Sequence, residues 1–208
     1  MKRLFTLILA AMLSLLGTSA FAQMAQGEYR MTAGGGFTMF SLTGSDSERV
    51  MDEILPGFYF GADIDYAFST IEGLSVETGG YIMHYGKAFS FNKAEAKSYH
   101  ANYLRIPINL KYEIPMDTDG FALAAFTGPR FNLGLAGNMF STGVTYMGLM
   151  RPDAQWGFGI SAIIQDAIVF RAGYDLGITK CIKDNSALGF NDLNVKRNSF
   201  CFGVGFAF

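Results

Sequence analysis

Residues 103–114 read YLRIPINLKYEI and alternate without a break. Leu104, Ile106, Ile108, Leu110, Tyr112 and Ile114 share one parity, and Tyr103, Arg105, Pro107, Asn109, Lys111 and Glu113 share the other. Period-two alternation means a strand, because successive side chains leave opposite faces of the pleat. A half-buried strand in a water-soluble sheet alternates in the same way, so the rest of the chain must say which face meets water.

Composition narrows the choice. Of 208 residues, 50% are hydrophobic and 16% charged, against about 25% charged in an ordinary soluble domain. Mean hydropathy is +0.22. After the N-terminal segment no apolar run approaches the 18 or so residues of a spanning helix. High apolarity without such runs, with 25 glycines, fits strands whose apolar residues occupy every second position. Residues 1–22 have a Lys2-Arg3 start, an apolar run from Leu4 to Leu16 and a small-x-small Ala20-Phe21-Ala22 end, the pattern of a secretory leader. Residues 23–208 then form a single domain. Losing Lys2 and Arg3 takes the 16 basic residues to 14 against 18 acidic, a net charge of −4 that argues against nucleic acid as a partner.

The remaining chain divides into eight alternating segments, near residues 28–40, 57–68, 74–89, 103–114, 120–135, 154–164, 167–178 and 198–208. Between them, long polar connections take turns with short ones such as 69–73, 115–119 and Gln165-Asp166. Outer-membrane barrels pair short periplasmic turns with longer extracellular loops, and a sandwich has no reason to keep that order. The expected fold is all-β, an eight-stranded antiparallel transmembrane β-barrel with a polar, side-chain-filled interior. It lies in the outer membrane, with that membrane's lipids around it.

One parity carries the aromatics Phe58, Phe60, Trp156, Phe158, Phe170, Phe200, Phe202 and Phe206, and also His84. The other collects Arg30, Asp63, Asp65, Glu77, Arg105, Lys111, Glu113, Arg130, Arg171 and Asp175. An Arg or Lys on the lipid face costs about 2–4 kcal/mol at the midplane, so the charged parity belongs in the lumen. Eight strands leave an interior just wide enough for side chains to fill. The charges therefore read as a salt-bridged plug, with an ion path or proton relay as the alternative. Pro107 and Pro129 each remove a ladder donor from a strand paired on both sides, which calls for a bulge or a locally open ladder. Cys181 and Cys201 fall on the inward parity near the top of the last hairpin, where either one disulfide or two free thiols is compatible with export.

Residues 103–112 resemble the "YLxIPxxLKY" strand of the PorT-like outer-membrane β-barrel domain of Bacteroidota. Gly128-Pro129-Arg130 resembles that family's "GP" strand, and residues 170–177, FRAGYDLG, its "xRYDLGL" strand with Ala-Gly before the Tyr. Phe208, with Phe206 and Phe202, resembles the C-terminal signal read by barrel-insertion machinery. The resemblance implies an eight-stranded outer-membrane barrel in a broad family whose founding member is tied to a secretion system.

The functional expectation is a non-enzymatic barrel acting through its extracellular loops or as a subunit of an envelope assembly. A small porin-like channel is the alternative, and a lipid-modifying enzyme follows behind. Residues 136–150 are unusually apolar for a loop, with Met139, Phe140, Tyr146, Met147 and Leu149, the kind of patch that marks a partner site. Catalysis at a barrel rim needs a His converging with Ser or Asp; His84 and His100 both fall outward, and no G-x-S-x-G occurs. Two histidines and two cysteines give no metal-site spacing. No catalytic residue, metal or cofactor is expected.

Overall fold

The computed structural model describes residues 29–45, 54–86, 100–114, 116, 120–138, 140–141, 144–145, 152–182 and 194–208. The strands are β1 (Tyr29–Thr43), β2 (Leu55–Ala67), β3 (Leu74–Gly86), β4 (His100–Ile114), β5 (Phe121–Asn138), β6 (Phe140–Ser141), β7 (Val144–Thr145), β8 (Asp153–Ile164), β9 (Ile168–Gly177) and β10 (Lys196–Ala207). Eight of them close an antiparallel barrel in the order β1-β10-β9-β8-β5-β4-β3-β2, and β6 with β7 forms a small hairpin in one long connection. Closure runs from Thr32 opposite Ala207 to Thr43 opposite Lys196. The chain ends are tied by Met31 and Phe208, whose amides and carbonyls exchange hydrogen bonds of 3.1 and 2.9 Å.

The alternation decides the faces. Tyr29, Phe60, Ile160 and Phe206 lie on the exposed parity, each more than half exposed. On the opposite parity Glu77, Lys111, Gln155 and Arg197 are buried. A polar interior under an apolar exterior inverts a soluble protein and suits a lipid surround. His84 is on the outer side near the loop end, against the Phe58 ring at 4.9 Å, with Nδ1 2.7 Å from Asn102 Oδ1.

Gln165 and Asp166 make the tightest turn, both with positive φ (52° and 54°), and Ala167 N donates to Ile164 O at 3.1 Å. Two left-handed residues in a two-residue loop give the twist that a right-handed hairpin needs. The prolines open the ladder rather than bulging it. Pairing of β4 is interrupted at Ile106-Pro107 toward β3 and at Ile108-Asn109 toward β5, with the register unchanged on either side. In the first gap Thr78 Oγ1 donates to Pro107 O at 2.9 Å. The bulge comes elsewhere, where Leu135 is extra between the Asn102–Ala136 and Tyr103–Gly134 pairs.

Several strands run further toward the loop end than the sequence signals. β1 reaches Thr43, β2 starts at Leu55, β5 reaches Asn138 and β10 starts at Lys196. Arg197, which falls in the expected last loop, is therefore a lumen residue.

Candidate functional site: the filled lumen

The lumen is filled in layers. At the turn end Arg30 Nη1 meets Glu113 Oε1 at 2.5 Å, and Lys111 Nζ meets Asp65 Oδ2 at 2.6 Å and Glu113 Oε1 at 3.7 Å. Above them Arg171 pairs with Asp63 (Nη1 to Oδ2, 3.2 Å) and with Glu77, and Tyr81 donates its hydroxyl to Asp63. Asn109 links this layer to the next. Its Nδ2 donates to Glu77 Oε1 and its Oδ1 accepts from Arg130 Nη1, both at 2.6 Å.

Mid-lumen, one carboxylate serves two guanidinium groups. Asp175 Oδ2 accepts from Arg105 Nη1 at 2.7 Å, while Oδ1 lies 2.6 Å from Arg130 Nε. Arg105 also donates to Asn132 Oδ1 and Gln155 Oε1, each at 3.0 Å. Gln155 Nε2 donates to Arg197 O at 2.7 Å, and Arg197 Nη2 lies 3.0 Å from Asp153 Oδ2.

Lumen glycines make these long side chains possible. A Cβ on Gly157 would collide with the Arg130 guanidinium, and one on Gly203 with the Tyr59 hydroxyl. Arg130 and Arg171 both lie over the Phe126 ring, at 5.6 and 4.9 Å from its centroid.

The loop end is closed differently. Arg197 lies 3.8 Å from the centroid of the Tyr103 ring, and beyond it the lumen becomes apolar. Phe40, Leu42, Leu55, Met83, Tyr85 and Val195 form a buried cluster with Cys181 and Ile182, which come from the β9–β10 connection. Cys181 N donates to Val195 O at 3.0 Å, pinning that segment inward.

Free space in the middle is small, about 50 Å³ beside Arg105, Phe126 and Asp175 and about 30 Å³ beside Asp63. One water occupies roughly 30 Å³ of liquid. Among the described residues, then, the middle of the lumen has only water-sized space beneath an apolar stopper, and a recess of about 250 Å³ lined by Arg30, Asp65, Ser75 and Glu113 lies at the turn end.

All ten charged residues expected inward stand on the lumen side and form this network. Asp153, Arg197, Phe126 and Tyr59 belong to it as well. The first two sit at strand ends that read as loop, and the aromatics share the parity of the charged residues; carrying the parity of Arg130 back to Phe126 and that of Asp63 back to Tyr59 would have found them.

Cys181 and Cys201 are free thiols, so the disulfide alternative does not describe this structure. Cys201 Sγ lies 3.3 Å from Thr38 Oγ1 and accepts from Arg105 Nη1 at 3.4 Å, whereas Cys181 is beside Val195. Six residues of strand separate Val195 from Cys201, about 20 Å, well beyond disulfide reach. Of the expected loop interface, Met139, Tyr146, Met147 and Leu149 lie outside the described residues, as does the side chain of Phe140, whose backbone is in β6. The leader, residues 1–22, and the His100 side chain lie outside them too.

An eight-stranded barrel with an apolar outside and an ion-paired inside is an integral outer-membrane protein. The chain belongs to the outer membrane protein beta-barrel domain family, whose model matches residues 8–208. Among solved structures it is similar to Neisserial surface protein A (NspA), 13% identical with a TM-score of 0.50, over 86% of this chain and 95% of that one. It is also similar to Ail of Yersinia pestis, crystallised with the heparin analogue sucrose octasulfate, at 15% identity and a TM-score of 0.47, over 88% and 99% of the two chains. OprG from Pseudomonas aeruginosa follows at 14% and 0.46, over 88% and 97%. At such identities the likeness is one of fold. No curated protein matches the chain by sequence.

Proposed function

We propose that this outer-membrane barrel works by interaction, as a subunit of an envelope assembly or through its extracellular loops, without catalysing a reaction. The observation that carries the reading is the closure of the lumen at two levels, ion pairs around Asp175 and an apolar stopper around Tyr85 and Tyr103. Among the described residues the middle of the lumen is left with only water-sized space, which favours the barrel's surfaces as the part that acts. The PorT-like resemblance of residues 103–112 supports an assembly role, with a secretion apparatus as its specific form. The apolar segment 136–150 is the proposed contact. Export through the 1–22 leader and insertion through the terminal Phe208 complete the reading.

Affinity capture of the tagged protein from cross-linked, detergent-solubilised outer membranes tests it. A stoichiometric envelope partner is expected, and deletion of residues 136–150 should release it. Capture of nothing, or retention of the partner by the deletion variant, would sink the loop-mediated assembly. Single-channel recordings in planar bilayers should stay at the noise floor, and discrete steps would favour the porin-like alternative.

A further inference from the structure

On the outer wall, β1 and β10 change character at one height. From the turn end to the loop end, the outward positions of β10 run Phe206, Val204, Phe202 and Phe200, all exposed, and then Asn198 and Lys196. Those of β1 run Phe37 and Met39, then Ser41 and Thr43. The register sets Met39 opposite Phe200, Ser41 opposite Asn198 and Thr43 opposite Lys196. Both strands therefore pass from apolar to polar at the same step, which marks the outer edge of the hydrocarbon. The stretch of tilted strand from Phe200 to Lys196 lifts the lysine about 10 Å, into the headgroup layer.

Just below that step the wall is hollowed. A groove of about 500 Å³, almost wholly apolar, is lined by Phe37, Met39, Pro56, Phe200 and Phe202. Its shape follows from β2. Pro56 stands opposite Met39 with only its short ring, and Phe58, the next outward ring on that strand, is engaged with His84 of β3 at 4.9 Å. The rim above is polar and positive. Asn198 Oδ1 accepts from Gly177 N at 2.9 Å, which holds its carboxamide in place. Arg197 is turned inward onto Asp153, whereas Lys196 lies on the outer parity, and no carboxylate among the described residues pairs with it.

We propose that the groove and its rim bind one molecule of the phosphorylated, multi-acylated glycolipid of the outer leaflet. One acyl chain lies in the groove and a phosphate meets the Lys196 ammonium. The groove selects the chain, because it offers almost no polar surface to a peptide or a headgroup. The lysine selects the charge, since a cation at headgroup height attracts anionic lipid. Ser41, Thr43 and Asn198 select the sugar, because hydroxyl and carboxamide groups donate to and accept from its hydroxyls. The leaflet follows from the longer connections, which face outward at this end of an outer-membrane barrel. A second copy of the chain fits less well: a two-fold contact through this wall would bring two Lys196 ammonium groups to one interface. The site lies on the barrel wall, apart from residues 136–150, and does not depend on the loop-mediated interaction.

The test is native mass spectrometry of the full chain, folded in detergent micelles and titrated separately with lipid A, phosphatidylglycerol and phosphatidylcholine. Lipid A should give one saturable adduct per chain, at a lower concentration than either phospholipid. Lys196→Gln should weaken that adduct about fivefold, the worth of one cation near a charged lipid surface. Met39→Trp fills the groove with an apolar ring and should weaken it roughly tenfold, as if two methylenes were left unburied. Phe170→Ala, on the outer face of β9 away from the groove, should leave it unchanged. The adduct on the unaltered protein needs no variant to fold. Equal binding of the three lipids, or an adduct indifferent to both groove variants, would overturn the proposal. So would a phosphatidylglycerol adduct as strong as that of lipid A, which would make charge alone the selector, or a dimer without lipid, which would give the groove to a second copy.

Discussion

Asp175 neutralises Arg105 through one oxygen and Arg130 through the other, and both arginines are buried. Removing one partner of a buried ion pair costs about 3–5 kcal/mol, because the charge left behind has no water to return to. Asp175→Asn should therefore lower unfolding stability by at least that range, measured by equilibrium urea unfolding in liposomes. Exchanging both members of the Arg197–Asp153 pair for apolar residues should cost far less, since the two desolvation penalties vanish together. The cysteines give a chemical check on the same scale. Burial pushes the Cys181 thiol up to about 12, so it is neutral and shielded at pH 8. Under non-reducing conditions the unfolded chain should take up two alkyl groups by mass spectrometry, while Cys181 stays unmodified in the folded barrel. A single intact disulfide would leave none to take up.

At the scale of the element, the β8–β9 hairpin shows a sequence at odds with its own backbone. Gln165 and Asp166 both hold positive φ, a conformation that Asn and Gly adopt more readily. Replacing the pair by Asn-Gly should raise stability by roughly 0.5–1 kcal/mol, read as a shift of the urea midpoint at constant slope. The Pro107 gap is the opposite case, a strand that tolerates a missing donor because the Thr78 hydroxyl takes over the Pro107 carbonyl. Thr78→Val keeps the shape and the apolar outer face but removes that donor. It should cost on the order of 1 kcal/mol in the same unfolding assay.

Across the whole molecule the governing fact is the inversion of polarity. Ile160 lies outward near the middle of β8 and is 64% exposed, so Ile160→Arg puts a cation into lipid. A loss of about 2–4 kcal/mol is expected on folding into bilayers, and a much smaller loss in a detergent whose headgroups can close over the charge. Equal losses in both would place Ile160 away from the hydrocarbon. The eight strands, their alternation and the long-short rhythm of connections were legible in residues 103–114 and their counterparts, because a strand's two faces are written two residues apart in the chain. The inward charges were legible for the same reason. The sequence could not show which charge meets which. Arg105 and Asp175 are 70 residues apart, and only the closure of β1 on β10 and the stagger of each hairpin bring them to one height. The apolar stopper was hidden by the same cause: Phe40, Leu55, Tyr85, Cys181 and Val195 come from different strand ends and one loop, and local pattern assigns such ends to solvent. Parity along the chain determined the faces, and the register between strands distant in sequence decided what fills the space inside.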